Sequence, residues 1–427
     1  MKLHYISTVD HIIHVMLPHL DAARARGWQV DIACHITRDP AISQAHCDTL
    51  YEVPLSRNPF HPRNLLAVWK LIKLIRKEKY DIVHCHNPSG GVYGRLAATL
   101  SGIKPLRVYT AHGFHFHPLG NRITNILFRA IESFAGRFLS DAVLVINQWD
   151  YEQAQKIMPP EHVYLTPGVG VSTDKFDPAN VTEEQRQAIR NEFGVPEDGF
   201  LAVCIGEMIP RKGHDHAFGI FGQDTPANTV LVFVGEGPLR EHLESEANKI
   251  CAKQIKFAGF RRDIREILAA CDVFLFPSLQ EGLPCAVQEA LAMEKPVICY
   301  GIRGCTDLVD ESCGRVIDWI PSHMVMGAAF AGLCGMSAEE RQAMGHSGRE
   351  KMVEKYDRPK CVEAWLKIYD DLMPTSTHLT SPPGPLPQAL ASSLGKGETE
   401  KPSESPFPSE ERVPGRGVGE RLGGRGQ

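Results

Sequence analysis

Long apolar runs and paired cysteines are both missing from this chain of 427 residues. No stretch reaches roughly 18 uninterrupted apolar residues, so we expect no membrane-spanning helix. The N-terminal residues also lack the apolar core of a signal peptide. The 12 cysteines include no Cys-x-x-Cys pair, and several, such as Cys34 and Cys204, fall in strand-like runs where a free cysteine packs as a small hydrophobe. These absences predict a reduced, cytoplasmic protein.

The chain also has little excess charge of either sign. Its 46 Lys and Arg residues and 51 Asp and Glu residues leave a formal net charge of -5, which gives no reason to expect nucleic acid binding. The hydrophobic fraction of 43% is ordinary for a globular protein. Because the length exceeds that of a typical domain, we expect two domains.

Short apolar segments rich in β-branched residues alternate with amphipathic segments, and the pattern occurs twice. Such alternation predicts parallel sheets covered by helices on both faces. Proline and glycine at 165–171 mark a hinge between the two sets. The predicted fold is therefore α/β, with two Rossmann-like doubly wound domains that face a central cleft. The predicted strands are 29–34, 80–85, 107–112 and 141–146 in the first set, and 200–206, 229–235, 273–276 and 296–300 in the second.

The composition changes near the C-terminus. Residues 356–373 include an amphipathic segment and are predicted to form a last helix that packs back on the fold. From Pro374 onward, proline, serine, glycine, threonine and charged residues dominate, so residues 374–427 are predicted to be disordered. The predicted domains are thus 1–166 and 167–355, followed by the helix and the tail.

Two glutamates, Glu281 and Glu289, lie eight positions apart around a predicted helix start at Pro284. Free amides and the helix dipole at such a junction favour a bound phosphate, and a carboxylate on either side can hold sugar hydroxyls. The pattern thus suits a nucleotide-sugar. The alternative is a surface helix with two solvated glutamates. A buried strand runs directly into this loop, and ligand sites form at such strand ends, which favours the site.

Four ordered motifs in this chain resemble those of family 4 retaining glycosyltransferases, which have the GT-B architecture. They are the E-x7-E segment 281–289, the G-x5-K-G segment 206–213, and the segments 234–239 and 257–264. The resemblance covers roughly residues 1–373. Residues 110–117 and 302–309 resemble a bacterial subgroup that builds capsule, exopolysaccharide or O-antigen units on a lipid diphosphate carrier.

The resemblance implies a donor site in the second domain and an acceptor site in the first. Lys212, assisted by Arg211, would stabilise the charge that develops on a leaving UDP or GDP. Glu289 would accept hydrogen bonds from the ribose, and Glu281 would hold the transferred sugar. Further donor contacts are expected from the backbone amides of Gly282 and Leu283, which would face the phosphates, and from Arg261 in the base-binding loop.

In the first domain, the resemblance places His112 against the donor sugar as a catalytic group, although a histidine at a strand end could simply bond a neighbouring loop. Asp10, His11 and His115 are candidates for acceptor binding, with helix capping an equal alternative for Asp10. A metal site built on the histidines of this region is not expected, because no carboxylate completes a close spacing. No cofactor is predicted.

Two further features keep alternatives open. Glu207 stands where relatives carry an arginine, so Arg211 or Arg303 would have to replace it. The resemblance implies a hexosyltransferase that takes a nucleotide-sugar, expected to be a UDP-sugar, and a lipid-linked or free saccharide acceptor. A nucleotide-sugar 2-epimerase and an inactive sugar-nucleotide-binding assembly partner remain alternatives. The segment 64–79 is amphipathic with a basic face, formed by Lys70, Lys73, Arg76 and Lys77, with Trp69 nearby. Either the helix packs its apolar stripe on the sheet and leaves the basic residues in water, or the basic face rests on anionic lipid at the inner face of the plasma membrane.

Overall fold

The computed structural model describes residues 1–373 apart from Leu119, 222–224, Ala252 and 318–322, and leaves out the side chains of His11 and His323. The tail predicted to be disordered, 374–427, lies outside the described residues. Within the described residues, none of the helices combines the length and apolar character needed to cross a bilayer.

The first lobe is a sheet of seven parallel strands in the order β3-β2-β1-β4-β5-β6-β7, flanked by helices. Its strands are β1 (Lys2–Val9), β2 (Gln29–His35), β3 (Thr49–Glu52), β4 (Ile82–His86), β5 (Leu106–Ala111), β6 (Ala142–Val145) and β7 (Val163–Leu165). Its helices are α1 (Asp10–Ala25), α2 (Ala41–Ala45), α3 (Arg63–Glu78), α4 (Pro88–Leu100), α5 (Arg122–Phe138) and α6 (Gln148–Ile157).

The second lobe is a sheet of six parallel strands in the order β10-β9-β8-β11-β12-β13. Its strands are β8 (Phe200–Ile205), β9 (Thr229–Val234), β10 (Ile255–Gly259), β11 (Val273–Phe276), β12 (Val297–Tyr300) and β13 (Gly314–Ile317). The remaining helices are α7 (Glu183–Glu192), α8 (Arg240–Ile250), α9 (Ile264–Ala270), α10 (Cys285–Ala292), α11 (Cys305–Leu308), α12 (His323–Cys334), α13 (Ala338–Lys351) and α14 (Arg358–Leu372).

The predicted architecture of two doubly wound parallel sheets is confirmed. Central strands such as β4, β11 and β12 are buried along their whole length, as expected for parallel strands covered on both faces. The strand predicted at 273–276 is β11 over the same residues. The edge strands β3 and β10 carry several half-buried or exposed residues, and they were not in the predicted set.

Strand order reverses once in each sheet, between β1 and β4 in the first lobe and between β8 and β11 in the second. In open α/β sheets, ligands bind beyond the carboxyl ends of the strands at such switch points. Asp10 is the first residue of α1, directly after β1, while the loop after β8 contains Lys212 and the loop after β11 contains Glu281. The topology therefore places the main candidate residues at two such edges.

Helix α14 follows the second lobe in sequence but packs on the first. The hydroxyl groups of Tyr5 and Tyr369 are 3.4 Å apart, and Arg26 forms an ion pair with Asp370 at 2.8 Å. Trp365 is fully buried, and its ring lies against those of His19 and His84. The end of the described chain thus covers part of the first lobe's core.

Candidate active site

Lys212 and Glu281 meet at the carboxyl edge of the second sheet. The ammonium of Lys212 donates to Oε1 of Glu281 at 2.6 Å, and the Ser278 hydroxyl donates to the same oxygen at 2.6 Å. The side chains of Lys212 and Glu281 are 16% and 10% exposed, so their attraction is only weakly screened by water. The guanidinium of Arg211 lies 3.5 Å from this carboxylate and is half-exposed. The structure therefore brings together three residues that the motifs had placed on the donor.

Gly213 explains why a glycine follows the lysine. Its φ is +56°, in the left-handed region that favours glycine. A Cβ at this position would overlap the carbonyl oxygen of Pro277 at the end of β11. Glycine thus lets the turn that carries Lys212 pack closely against the loop that carries Glu281.

Glu289 lies on α10, in a different part of the site from Glu281. Burial raises the pKa of its carboxyl group to about 7, although the positive charges of Lys175 and Arg358 act in the opposite direction. The carboxyl group therefore changes its charge near neutral pH. It faces a cavity of about 240 Å³ whose other lining residues are Lys175, Phe176, Arg262, Ile264, Arg265 and Glu266.

The loop 281–283 is in close contact with the first lobe. A Cβ on Gly282 would overlap the carbonyl oxygen of His112, so only glycine fits there without moving the two loops apart. The amide of Asn147 donates to the carbonyl of Gly282 at 3.1 Å. Leu283 is buried, and its side chain lies against Gly168. The predicted donor loop thus reaches the edge of the first sheet.

His112 follows β5 and touches this contact from the first lobe. Its Nε2 and the Nδ1 of His86 are 3.1 Å apart and share a hydrogen bond. Burial lowers the pKa of His112 to about 4, so its imidazole is neutral near pH 7. A neutral imidazole can donate or accept a hydrogen bond but carries no positive charge.

Asp10 does not cap α1, so the capping alternative is wrong. The N-cap residue is Val9, which provides no side-chain hydrogen bond. Asp10 instead accepts hydrogen bonds from the Thr37 hydroxyl at 2.5 Å and the Arg38 amide at 2.9 Å. Burial acts to raise the pKa of Asp10, but these hydrogen bonds outweigh it and lower the pKa below its usual value. The carboxylate therefore holds the loop after β2.

The other two acceptor candidates are His11 and His115. The side chain of His11 lies outside the described residues. His115 is exposed, and its ring meets that of Phe128 edge-on. Its surface position leaves it accessible to an acceptor, which remains a prediction.

Arg261 is bound by two acids of its own lobe. Its Nε donates to Asp263 at 2.8 Å, and its Nη2 donates to Glu192 at 3.1 Å. The neighbouring Arg262, rather than Arg261, lines the cavity beside Glu289. Donor binding by Arg261 stays a prediction, and it would require these ion pairs to rearrange.

Arg303 does not occupy the place left by Glu207. Its Nε donates to the carbonyl of Glu281 at 2.8 Å, and its Nη1 donates to Asp150 at 2.9 Å. Glu207 itself is exposed. Of the two arginines considered as replacements, Arg211 is the one that lies half-exposed beside Glu281.

Asp150 and Asn147 are functional candidates that sequence reasoning missed. Asn147 is the N-cap of α6, and its side chain accepts from the Asp150 amide at 2.8 Å. The Asn-x-x-Asp spacing before an amphipathic segment is a signal for a helix start. It could have located α6, but it does not indicate that Asp150 pairs with the other lobe.

Among the described residues, no group of three or more histidines, cysteines, aspartates or glutamates is arranged to hold a metal ion. The histidines near the cleft are packed on aromatic rings instead. His86 stacks on Tyr5 with ring centroids 4.8 Å apart, and His84 donates to or accepts from Thr110 at 2.8 Å.

The sequence matches two glycosyltransferase families over most of the described residues. Residues 2–147 match the family described as glycosyl transferase 4-like, and residues 185–350 match the family described as glycosyl transferases group 1. The glycosyltransferase EpsD of Bacillus subtilis is 32% identical over 389 residues, covering 88% of this chain and 98% of that protein.

Two further similarities concern a relative and a solved structure. The UDP-Gal:alpha-D-GlcNAc-diphosphoundecaprenol alpha-1,3-galactosyltransferase of Escherichia coli is 32% identical, covering 62% of this chain and 69% of that protein. The structure of Anabaena HepE in complex with UDP superposes with a TM-score of 0.72 at 17% identity, covering 87% of this chain and all of that one. With the paired sheets described above, these matches establish that the chain belongs to the family 4 glycosyltransferases of GT-B architecture.

Proposed function

We propose that this glycosyltransferase moves a hexosyl group from a UDP-sugar to a saccharide carried on a lipid diphosphate, with retention of configuration, in the synthesis of a cell-surface polysaccharide. The observation that carries the proposal is the Lys212–Glu281 pair, which lies at a sheet edge and directly beside the loop of His112. The name of the Escherichia coli relative supports the donor and the acceptor class, since it specifies UDP-galactose and a diphosphoundecaprenol-linked sugar.

In the proposed reaction, the bond between the anomeric carbon and the donor diphosphate breaks as the acceptor hydroxyl attacks from the same face. Lys212 stabilises the negative charge that grows on the leaving diphosphate, and the amides of Gly282 and Leu283 face its phosphates. Glu281 holds hydroxyl groups of the sugar. The leaving phosphate takes the acceptor proton, so no protein nucleophile is required.

Each lobe has a separate role in this proposal. Residues 1–166 bind the acceptor, and residues 167–355 bind the nucleotide-sugar. Residues 356–373 fasten the second part of the chain to the first. Glu289 holds the ribose, because its side chain lines the cavity that it shares with Lys175 and Arg262.

We place the enzyme in the cytoplasm, against the inner face of the plasma membrane where a lipid-linked acceptor would be found. Helix α5 supports this placement, because its exposed face is apolar while Arg122 and Arg137 are exposed on the same helix. Cations beside exposed apolar residues suit a surface of anionic lipid. The exposed apolar residues of α5 are Ile123, Ile126, Leu127, Phe134 and Phe138.

Helix α3, the helix considered from the sequence, also carries exposed apolar and basic residues. Trp69 is exposed beside Lys70, and the ammonium of Lys73 lies 3.5 Å from the centre of the Trp69 ring. Arg76 is less available, since its guanidinium donates to backbone carbonyls at the end of α4. Helices α3 and α5 pack on the same core cluster, and so they cover the same side of the first sheet.

The proposal is tested by incubating the protein with a panel of UDP-sugars and a synthetic GlcNAc-diphosphate lipid. We expect release of UDP and a product whose new bond keeps the anomeric configuration of the donor, as read by NMR. A parallel reaction without acceptor separates the alternatives. An epimerised UDP-sugar in that reaction would identify an epimerase, whereas UDP-sugar binding with no conversion in either reaction would identify an inactive binding partner.

A further inference from the structure

Arg303 connects the two lobes through a buried set of hydrogen bonds. It follows β12 in the second lobe, and its side chain is 6% exposed. Its Nη2 donates to the carbonyl of Phe114 at 2.7 Å, and its Nη1 donates to Oδ1 of Asp150 at 2.9 Å. Both partners belong to the first lobe, and Asp150 is fully buried.

The same guanidinium also binds the donor loop. Its Nε donates to the carbonyl oxygen of Glu281 at 2.8 Å. The guanidinium therefore bonds the carbonyl of Glu281 in the second lobe and the carbonyl of Phe114, two residues after His112, in the first. Because the guanidinium is rigid and its donors point in fixed directions, it sets the spacing of these two loops.

Asp150 is itself held from several directions. Its Oδ2 accepts from the Asn147 amide at 2.8 Å and from the Phe114 backbone amide at 3.3 Å. Asn147 in turn donates to the carbonyl of Gly282. Asp150 is thus bonded to the Phe114 loop directly and to the Gly282 loop through Asn147, and Arg303 bonds the same two loops.

A second contact between the lobes lies beside the first. The backbone amide of Gln148 donates to Asp307 at 2.7 Å, and the amide of Gly304 donates to the other oxygen of that carboxylate at 3.1 Å. The turn that carries Arg303 is therefore fastened to the start of α6. The two hydrogen bonds to Asp307 therefore fix the backbone of Arg303 relative to the first lobe.

We infer that Arg303 is a positioning residue for glycosyl transfer, acting through Asp150 to hold the Glu281 loop against the His112 loop. The inference rests on the proposed function, in which Glu281 and His112 act on the same sugar from opposite lobes. The donor-binding groups Lys212, Glu281 and Glu289 all belong to the second lobe. Loss of the clamp should therefore change the alignment of donor with acceptor while the nucleotide still binds.

Two substitutions test the clamp, Arg303→Lys and Asp150→Asn. Lysine keeps the charge but not the directed donors of the guanidinium, so it cannot bond Glu281, Phe114 and Asp150 in the same geometry. We expect each variant to lower kcat by about 100-fold, the scale of a 1 Å misplacement of reacting groups. The affinity for UDP, measured by calorimetry, should stay within about threefold of that of the unaltered protein. Arg315→Lys is the matched control, because Arg315 lies in the same lobe and its partners among the described residues belong to that lobe.

Hydrogen exchange provides a measurement that does not depend on activity. We expect faster exchange at residues 112–116 and 281–283 in both variants, with unchanged exchange in the strands of both sheets. Unaltered kcat, or unaltered exchange in these loops, would overturn the inference, as would equal losses of UDP affinity and turnover with a lower melting temperature. If the unaltered protein transfers no sugar, the proposed function fails, and the exchange result still decides whether Arg303 holds the loops.

Discussion

Lys212 and Glu281 form a hydrogen-bonded ion pair, with the ammonium nitrogen 2.6 Å from a carboxylate oxygen. The cation proposed for the donor diphosphate and the acid proposed for the donor sugar are thus adjacent. Pairing lowers the cost of keeping either charge in a partly buried site. In the proposal, Lys212 binds the diphosphate and Glu281 binds the sugar. The two side chains can therefore be tested separately.

Lys212→Ala should weaken UDP binding by about 30-fold, because a hydrogen bond to a charged group contributes about 2 kcal/mol. Isothermal calorimetry measures the change. Lys253→Ala, at an exposed position of the same lobe, should leave the affinity unaltered. Equal affinity in the Lys212 variant would mean that the diphosphate binds elsewhere.

Glu281→Gln should lower turnover by about 100-fold while UDP affinity changes little. Glutamine retains an oxygen that can accept from Lys212 and Ser278, but it removes the charge that strengthens hydrogen bonds to the sugar. The fold should remain intact, as judged by the melting temperature. The exposed Glu241→Gln provides the control, and transfer at the unaltered rate in the Glu281 variant would refute the assigned role.

The affinity for a UDP-sugar should increase with pH. The pKa of Glu289 is raised to about 7, so its carboxyl group is mostly protonated at about pH 6 and mostly ionised at about pH 8. Since the ionised form is the stronger acceptor for ribose hydroxyls, we expect a gain approaching tenfold over this interval. A UDP-sugar is the suitable probe, because its esterified diphosphate does not titrate near neutrality. The gain should disappear in Glu289→Gln, and its persistence there would assign it to another group.

Gly282→Ala should reduce turnover strongly by separating the loops that meet at His112. The added Cβ would overlap the His112 carbonyl oxygen, so the backbone has to move. Gly301→Ala is the control, since its Cβ would have its nearest neighbours at 3.4 Å, an ordinary contact distance. Similar steady-state rates for the two variants would show that the loop contact is not needed for transfer.

Replacing Phe134 and Phe138 with aspartate should reduce binding to vesicles that contain phosphatidylglycerol, as measured by co-sedimentation. The substitutions remove apolar area and add charge of the same sign as the lipid. Phe260→Asp is the control, because Phe260 is an exposed phenylalanine of the second lobe. Undiminished vesicle binding would contradict the proposed membrane surface. Dimers that are lost on substitution would show instead that a second copy of the chain covers α5.

Much of the fold could be predicted from the sequence because its determinants are local. Apolar runs bounded by glycine and proline located strands such as β8, β9 and β11, and the motif spacing located Lys212 and Glu281. The Arg303–Asp150 contact could not be predicted, because 153 positions separate its partners. The apolar face of α5 was missed for a related reason, since periodicity shows that a helix is amphipathic without showing which face is turned to the sheet.

The return of α14 to the first lobe has a consequence for engineering. Tyr369 bonds Tyr5 and His84, and Trp365 covers the imidazoles beneath the cleft. A chimera that takes its nucleotide-binding half from a relative must therefore keep this terminal helix from the parent that supplies β1 and β4. The natural exchangeable unit is an internal segment, with the parent's own sequence on both sides of it.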